Sequence, residues 1–133
     1  MGTVPDHRDG DFVCMSDSLS DLTARVRDFA RKRDWQRFHS PKNLSMALIV
    51  EAAELVEHFQ WLTERQSMEL AAEKKVAVAE ELADILIYLV RLAERLDIDL
   101  IAAADDKIAK NSRKYPVELV RGRHDKHAPI SKS

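Results

Sequence analysis

Glu80-Glu81-Leu82-Ala83-Asp84-Ile85-Leu86-Ile87-Tyr88-Leu89-Val90-Arg91-Leu92 is the stretch that decides the fold. At about 100° per residue, Ile85, Leu86, Ile87, Leu89, Val90 and Leu92 point almost all the way round a helix. A helix apolar on several sides is buried on several sides, so it lies centrally in a bundle or at a subunit interface. The unbroken run Ile85 to Val90 is far too short to span a bilayer. Upstream, Thr63-x-x-Gln66 has the capping-box pattern and opens this third helix. The helix extends toward Leu96, with candidate breaks near Ser67 or Lys74.

Outward from this stretch the same period continues. Ser40-Pro41 is a helix start, Ser as cap and Pro at the first helical position. That second helix runs to about Trp61, with Leu44, Leu48, Leu55 and Leu62 close to one line. A first helix starts between Ser16 and Ser20, carries Leu19, Leu22, Val26 and Phe29 on one stripe, and ends near Asp34. Asp97 or Asp99 caps a fourth, which runs to about Tyr115 and is stopped by Pro116. Residues 1–15 read as a disordered arm, 16–116 as one domain and 117–133 as a flexible basic tail. With no strand alternation and no repeat, the expectation is an all-α bundle of four or five helices.

Two acidic pairs stand on consecutive helices, Glu51-x-x-Glu54 and Glu81-x-x-Asp84. Residues three apart lie within about 60° on a helix, so each pair aims its carboxylates in nearly one direction. The first face continues through His58 and Trp61, the second through Tyr88. A solvated helix face commonly sets acid against base at i, i+4, as Asp28 and Lys32 do. None of the four acids has a Lys or Arg three or four residues away, and their neighbours Leu48, Leu55, Leu82 and Ile85 are apolar. Four carboxylates beside a core stripe are costly without a cation. An all-oxygen set suits Mg²⁺ or Mn²⁺ rather than zinc or copper. A single E-x-x-E on a helix is ordinarily a solvated face; two such pairs without basic neighbours point to a hard-metal site.

The fourth helix ends with Lys107, Lys110, Asn111 and Lys114 on one face. Cations there complement the helix dipole, and they could equally clamp a phosphate. Trp35 and Trp61 flank the second helix, either as core packing or as flat walls for a nucleobase. His39 could ligate a metal, although a single loop histidine is more often structural. A di-iron oxidoreductase bundle wants Glu-x-x-His pairs, and His58 stands at the wrong spacing from Glu51 and Glu54. A non-enzymatic helical interaction module binding a basic partner is the other alternative.

Composition narrows the chemistry. In the 133-residue chain the glycines are Gly2, Gly10 and Gly122, none between positions 11 and 121. A P-loop and a Rossmann turn both need glycine for backbone closure on phosphate, so phosphate handling here falls to side chains and metal. Cys14 is the only cysteine, which excludes an internal disulfide. The start, Met-Gly-Thr-Val-Pro-Asp, has no apolar signal core, so a cytoplasmic location is expected. A formal charge of -2 argues against coating nucleic acid. It is a cancellation: residues 51–84 hold nine acids and three bases, and residues 105–133 hold eight bases and four acids.

Several runs together resemble a known family: Arg33-Asp34-Trp35, Phe38-His39-Ser40-Pro41-Lys42-Asn43-Leu44, Glu51-Ala52-Ala53-Glu54, Glu57-His58-Phe59-Gln60-Trp61, Glu80-Glu81-Leu82-Ala83-Asp84, and Lys107-x-x-x-Asn111-x-x-Lys114-Tyr115-Pro116. The chain resembles the all-α nucleoside triphosphate pyrophosphohydrolases of the MazG-like superfamily over about residues 18–117, most of all the dCTP pyrophosphatase branch. The resemblance implies Mg²⁺-dependent hydrolysis, Mn²⁺ able to substitute, of a (deoxy)nucleoside triphosphate to monophosphate and pyrophosphate. It implies that Glu51, Glu54, Glu81 and Asp84 hold the metal, with Glu51 or Glu54 activating water. By the same resemblance Trp35, Trp61 and Tyr88 match positions lining the nucleoside pocket, and Lys107 and Asn111 match positions near the phosphates; His39 and Lys114 are further candidate substrate-binding residues, Lys114 beside the departing pyrophosphate. It also implies a homotetramer, a dimer of dimers, and neither a nucleic-acid polymer nor a membrane as partner. Dedicated dCTP enzymes of this type carry a histidine nine residues before the tryptophan, where this chain has Val26.

Overall fold

Local capping sets where most of the helices begin. In a computed structural model, which describes residues 18–123, Ser18 caps α1 (Leu19–Lys32) by accepting the Asp21 N–H at 3.1 Å. The expected arm at 1–15 and the end of the expected tail, 124–133, lie outside the described residues. After a single 3₁₀ turn at Gln36–Phe38, Ser40 caps α2 (Pro41–Glu57) through the Asn43 N–H at 3.1 Å, with Pro41 at its first position. The Asn43 side-chain amide donates back to the Phe38 carbonyl at 3.0 Å and ties the turn to the helix. Thr63 and Gln66 close the expected capping box on α3 (Glu64–Met68). The long α4 (Ala72–Arg95) follows, then α5 (Leu100–Lys114), capped by Asp99 through the Ala102 N–H at 3.0 Å. Pro116 precedes a short α6 (Val117–Val120), so the stretch read as tail opens with a helical turn. The described residues contain no strand.

Three boundaries differ from the periodicity. The third helix is two, α3 and α4, and the break falls at 69–71, between the two candidate points. The Ser67 hydroxyl donates to the Glu64 carbonyl at 2.6 Å, a local bond that competes with continuation of the helix. The second helix ends at Glu57, not Trp61, because His58, Phe59 and Leu62 close i→i−3 turns instead (Phe59 N–H to Val56 carbonyl, 2.9 Å). Asp97 does not cap α5; it takes φ 54° and ends α4 in the left-handed conformation that glycine adopts most easily. Asp97→Gly is therefore expected to stabilise the protein by about 0.5–1 kcal/mol, read as a rise in the urea midpoint.

The chain divides after Leu96 into two units. In the first, α4 packs against α2 and, less extensively, α1. His39, just before α2, bonds Arg91 near the end of α4, while His58 at the end of α2 approaches Glu81 near its start. The two helices therefore run antiparallel. Ala30 of α1, Leu44 of α2, and Val78, Val90 and Ala93 of α4 form the buried core. Much of the apolar surface of α2 and α4 stays exposed, including Ile49, Val50, Leu82 and Leu86. The second unit carries α5 and α6, where the Tyr115 N–H closes on the Asn111 carbonyl at 2.8 Å.

Candidate functional site

The antiparallel pairing of α2 and α4 brings acids from distant positions together. One carboxylate oxygen from each of Glu51, Glu81 and Asp84 lies within 4.8 Å of the other two. Glu51 and Glu81 are half-buried; Asp84 faces solvent. Glu54 is exposed and stands outside this three-oxygen set, sharing a side-chain hydrogen bond with Glu51 instead. Burial, that hydrogen bond and the charges on Glu54, Asp84 and Glu81 push the Glu51 carboxyl up to about 7.

No Lys or Arg among the described residues neutralises the cluster; the nearest base is His58, with Nε2 3.7 Å from Glu81 Oε1. Glu51 Oε2 and Glu81 Oε2 are buried and have no hydrogen-bond partner. Orphaned buried carboxylate oxygens are expensive, and a hard cation is the group that satisfies several at once. The donor set thus fits a divalent metal of the Mg²⁺ or Mn²⁺ type.

The other expected residues divide into three groups. Trp35 and His39 come together beside α4: their ring centroids are 6.1 Å apart, and Phe29 meets Trp35 edge-on at 5.7 Å. Tyr88 is half-buried on α4, one turn beyond Asp84. Trp61 is not brought in: it lies beyond the end of α2 and is 87% exposed. Lys107, Asn111 and Lys114 lie on α5 of the second unit, all three exposed.

Sequence reasoning passed over two features. Arg91 is buried and bonded to His39 and Glu94; an arginine inside an apolar run with Glu three residues on was the available signal. Leu22, Val26, Phe29 and Ile87 line a cavity of about 550 Å³ with Arg25, Asp28 and Lys32. No local motif marks it, because it exists only once α1 meets α4.

Similarity to known proteins agrees with this geometry. The MazG-like family profile matches residues 46–127, a span that holds all four acids. The chain belongs to the MazG-like family. This MazG-like chain is 42% identical over 115 residues to dCTP pyrophosphatase 1 of Rattus norvegicus, covering 85% of this chain and 68% of the relative. It is 40% identical to dCTP pyrophosphatase 1 of Homo sapiens, with the same coverage. A crystal structure of a pyrophosphatase from Archaeoglobus fulgidus is similar with a TM-score of 0.71 and 38% identity, covering 77% of this chain and 96% of that one.

The charge on this MazG-like cluster gives a signed prediction. Glu51 holds its proton more tightly folded than unfolded, so the folded state binds the extra proton between its ordinary value and about 7. Stability of the metal-free protein therefore falls as pH rises through that window and is level above it. Glu51→Gln removes this dependence. It is expected to raise the metal-free melting temperature at pH 8 while abolishing the rise that Mg²⁺ produces in the parent. Melting curves from pH 4.5 to 8, with and without Mg²⁺, check both signs.

Proposed function

We propose that this protein hydrolyses a nucleoside triphosphate, dCTP or a modified dCTP, to the monophosphate and pyrophosphate, using Mg²⁺, which Mn²⁺ can replace. The observation that carries the reading is the Glu51, Glu81, Asp84 cluster, with two buried oxygens lacking any partner. Glu51, Glu54, Glu81 and Asp84 would hold the metal. A bound Mg²⁺ supplies charge neutralisation on the triphosphate and polarisation of the phosphorus under attack.

The chain's own residues do the rest. Glu51 or Glu54, both on α2, would orient the attacking water and accept its proton. Trp35, His39 and Tyr88 contribute the nucleoside side, with Trp61 proposed as a further substrate-binding residue although the fold of this chain leaves it apart from them. Lys107, Asn111 and Lys114 supply cations and an amide for the departing pyrophosphate. Val26 lines the α1–α4 cavity and offers no hydrogen bond, so a base reaching this cavity is read there by shape. The exposed apolar residues of α2 and α4 support a dimer of dimers; light scattering tests it against the 15.2 kDa chain mass. The cytoplasm, where nucleoside triphosphates are held, is the proposed compartment.

The test is a panel of dNTPs and NTPs, 5-substituted cytosines included, incubated with millimolar Mg²⁺. Monophosphate and pyrophosphate in equal amounts are expected, with dCTP or a modified dCTP preferred. Orthophosphate as the product, or no product from any nucleotide, overturns the reading.

A further inference from the structure

Arg91 is the only buried charged residue among those described, 2% exposed on a helix that is otherwise apolar around it. Its position is built from three elements. Nη1 donates to Glu94 one turn along α4; Glu94 also accepts from Arg27 Nε of α1 at 3.0 Å; and Arg91 Nε donates to His39 Nδ1 at 3.2 Å, across 52 residues of sequence. Arg95 Nε fixes the same loop by donating to the His39 carbonyl at 3.1 Å.

The bond to His39 has a chemical consequence. A guanidinium is always charged and only donates. The Nδ1 that receives it must therefore carry a lone pair, so the imidazole proton sits on Nε2. Nε2 has no protein partner among the described residues. The groups facing His39 from α4 are the cations Arg91 and Arg95. Burial, and then these two charges, hold its pKa below the ordinary value. A neutral ring with a fixed tautomer thus stands 6.1 Å from the Trp35 ring, tilted by 60°. Arg91 lies seven residues beyond Asp84, about 10 Å of helix rise. That separation is comparable with the reach of a nucleoside from its 5′ phosphate.

We propose that Arg91 is a positioning residue that fixes His39 in the Nε2–H form, so that the Trp35–His39 pair presents one hydrogen-bond donor to an acceptor on the nucleobase. This rests on the reading of the protein as a nucleotide hydrolase. A purely structural arginine would be served by Glu94 alone; the bond to His39 Nδ1 is what a structural role leaves unused.

The experiment combines a spectrum with kinetics on the full chain. Two-bond ¹H–¹⁵N spectra of histidine-labelled protein, with His39 assigned by its loss in His39→Gln, should show Nε2 protonated and Nδ1 bare at pH 7 to 8. In Arg91→Met the ring should exchange tautomers and titrate higher than in the parent, with burial and Arg95 still holding it below the ordinary range. Glu94 keeps Arg27 in that variant, which favours folding, and Arg91→Lys serves as the second variant. With the preferred nucleotide, Arg91→Met and His39→Gln should each raise KM about tenfold, the worth of one neutral hydrogen bond, with kcat nearly unchanged. The double variant should be no worse than either. A parent His39 protonated on Nδ1 at pH 7, or an unchanged KM in active Arg91 variants, overturns the inference. A parent that hydrolyses no nucleotide overturns the hydrolase reading beneath it, whatever the spectrum shows.

Discussion

Glu81→Gln, and separately Asp84→Asn, abolishes pyrophosphate release in millimolar Mg²⁺ while the circular dichroism of the helices is unchanged. Both replacements keep side-chain volume and remove one negative oxygen ligand. Charge stabilisation by a bound divalent ion is worth several kcal/mol, so its loss lowers the rate on the order of 10³-fold at 1.36 kcal/mol per decade. The fold tolerates the change because these acids contribute repulsion: three carboxylate oxygens lie within 4.8 Å with no Lys or Arg among the described residues beside them. The metal-free melting temperature should hold or rise, and its Mg²⁺-induced increase should disappear. Full activity in either variant removes the basis for the metal site. Raised activity at higher Mg²⁺ instead identifies the lost step as metal binding. Glu54→Gln is the informative contrast, since Glu54 stands outside the three-oxygen set; it should weaken turnover more than metal affinity.

The sequence carried those parts of the structure that depend on helical period and on caps. The caps at Ser40, Thr63 and Asp99 were readable because each places a side-chain oxygen ahead of an apolar periodic run. The cluster was readable for a related reason: acids three apart without basic neighbours are anomalous on either helix alone, and one antiparallel pairing joins them. Helix ends were less legible. Nothing local distinguishes continuation at His58 to Trp61 from a run of i→i−3 turns, so Trp61 was carried one turn too far. Asp97 was ambiguous because aspartate serves both as a cap and as a left-handed helix terminator. Arg91 was invisible as a functional residue, since its partners His39 and Arg27 are distant in sequence and only packing brings them to it. Burial around the all-apolar half of α4 was also incomplete. Leu82, Leu86, Ile87 and Leu89 remain exposed, because an apolar period shows which residues seek burial but not how much of that surface the same chain covers.

Glu94→Ala is expected to destabilise the first unit strongly, and to cost far more than removing the arginine it holds. Arg91 is 2% exposed, and Glu94 is its only anionic partner among the described residues. Nη2 already lacks a partner. Deleting Glu94 would leave Nη1 and Nη2 both buried and unpaired, with the charge retained because guanidinium does not deprotonate. Stranding one member of a buried ion pair costs about 3–5 kcal/mol; the lower end applies here, because Glu94 is 23% exposed and water can enter its place. For a domain of this size that is a fall of more than about 10 °C in melting temperature. Arg91→Met removes the buried charge itself, and Glu94 keeps Arg27 at 3.0 Å, so its cost should stay below about 1.5 kcal/mol. The double variant Arg91→Met, Glu94→Ala should recover most of what Glu94→Ala loses. Thermal and urea unfolding of the four proteins at one protein concentration and pH 7 measures the coupling directly. A Glu94→Ala protein within about 1 kcal/mol of the parent would mean that the guanidinium escapes to solvent, and His39 would then lose the partner that fixes its proton.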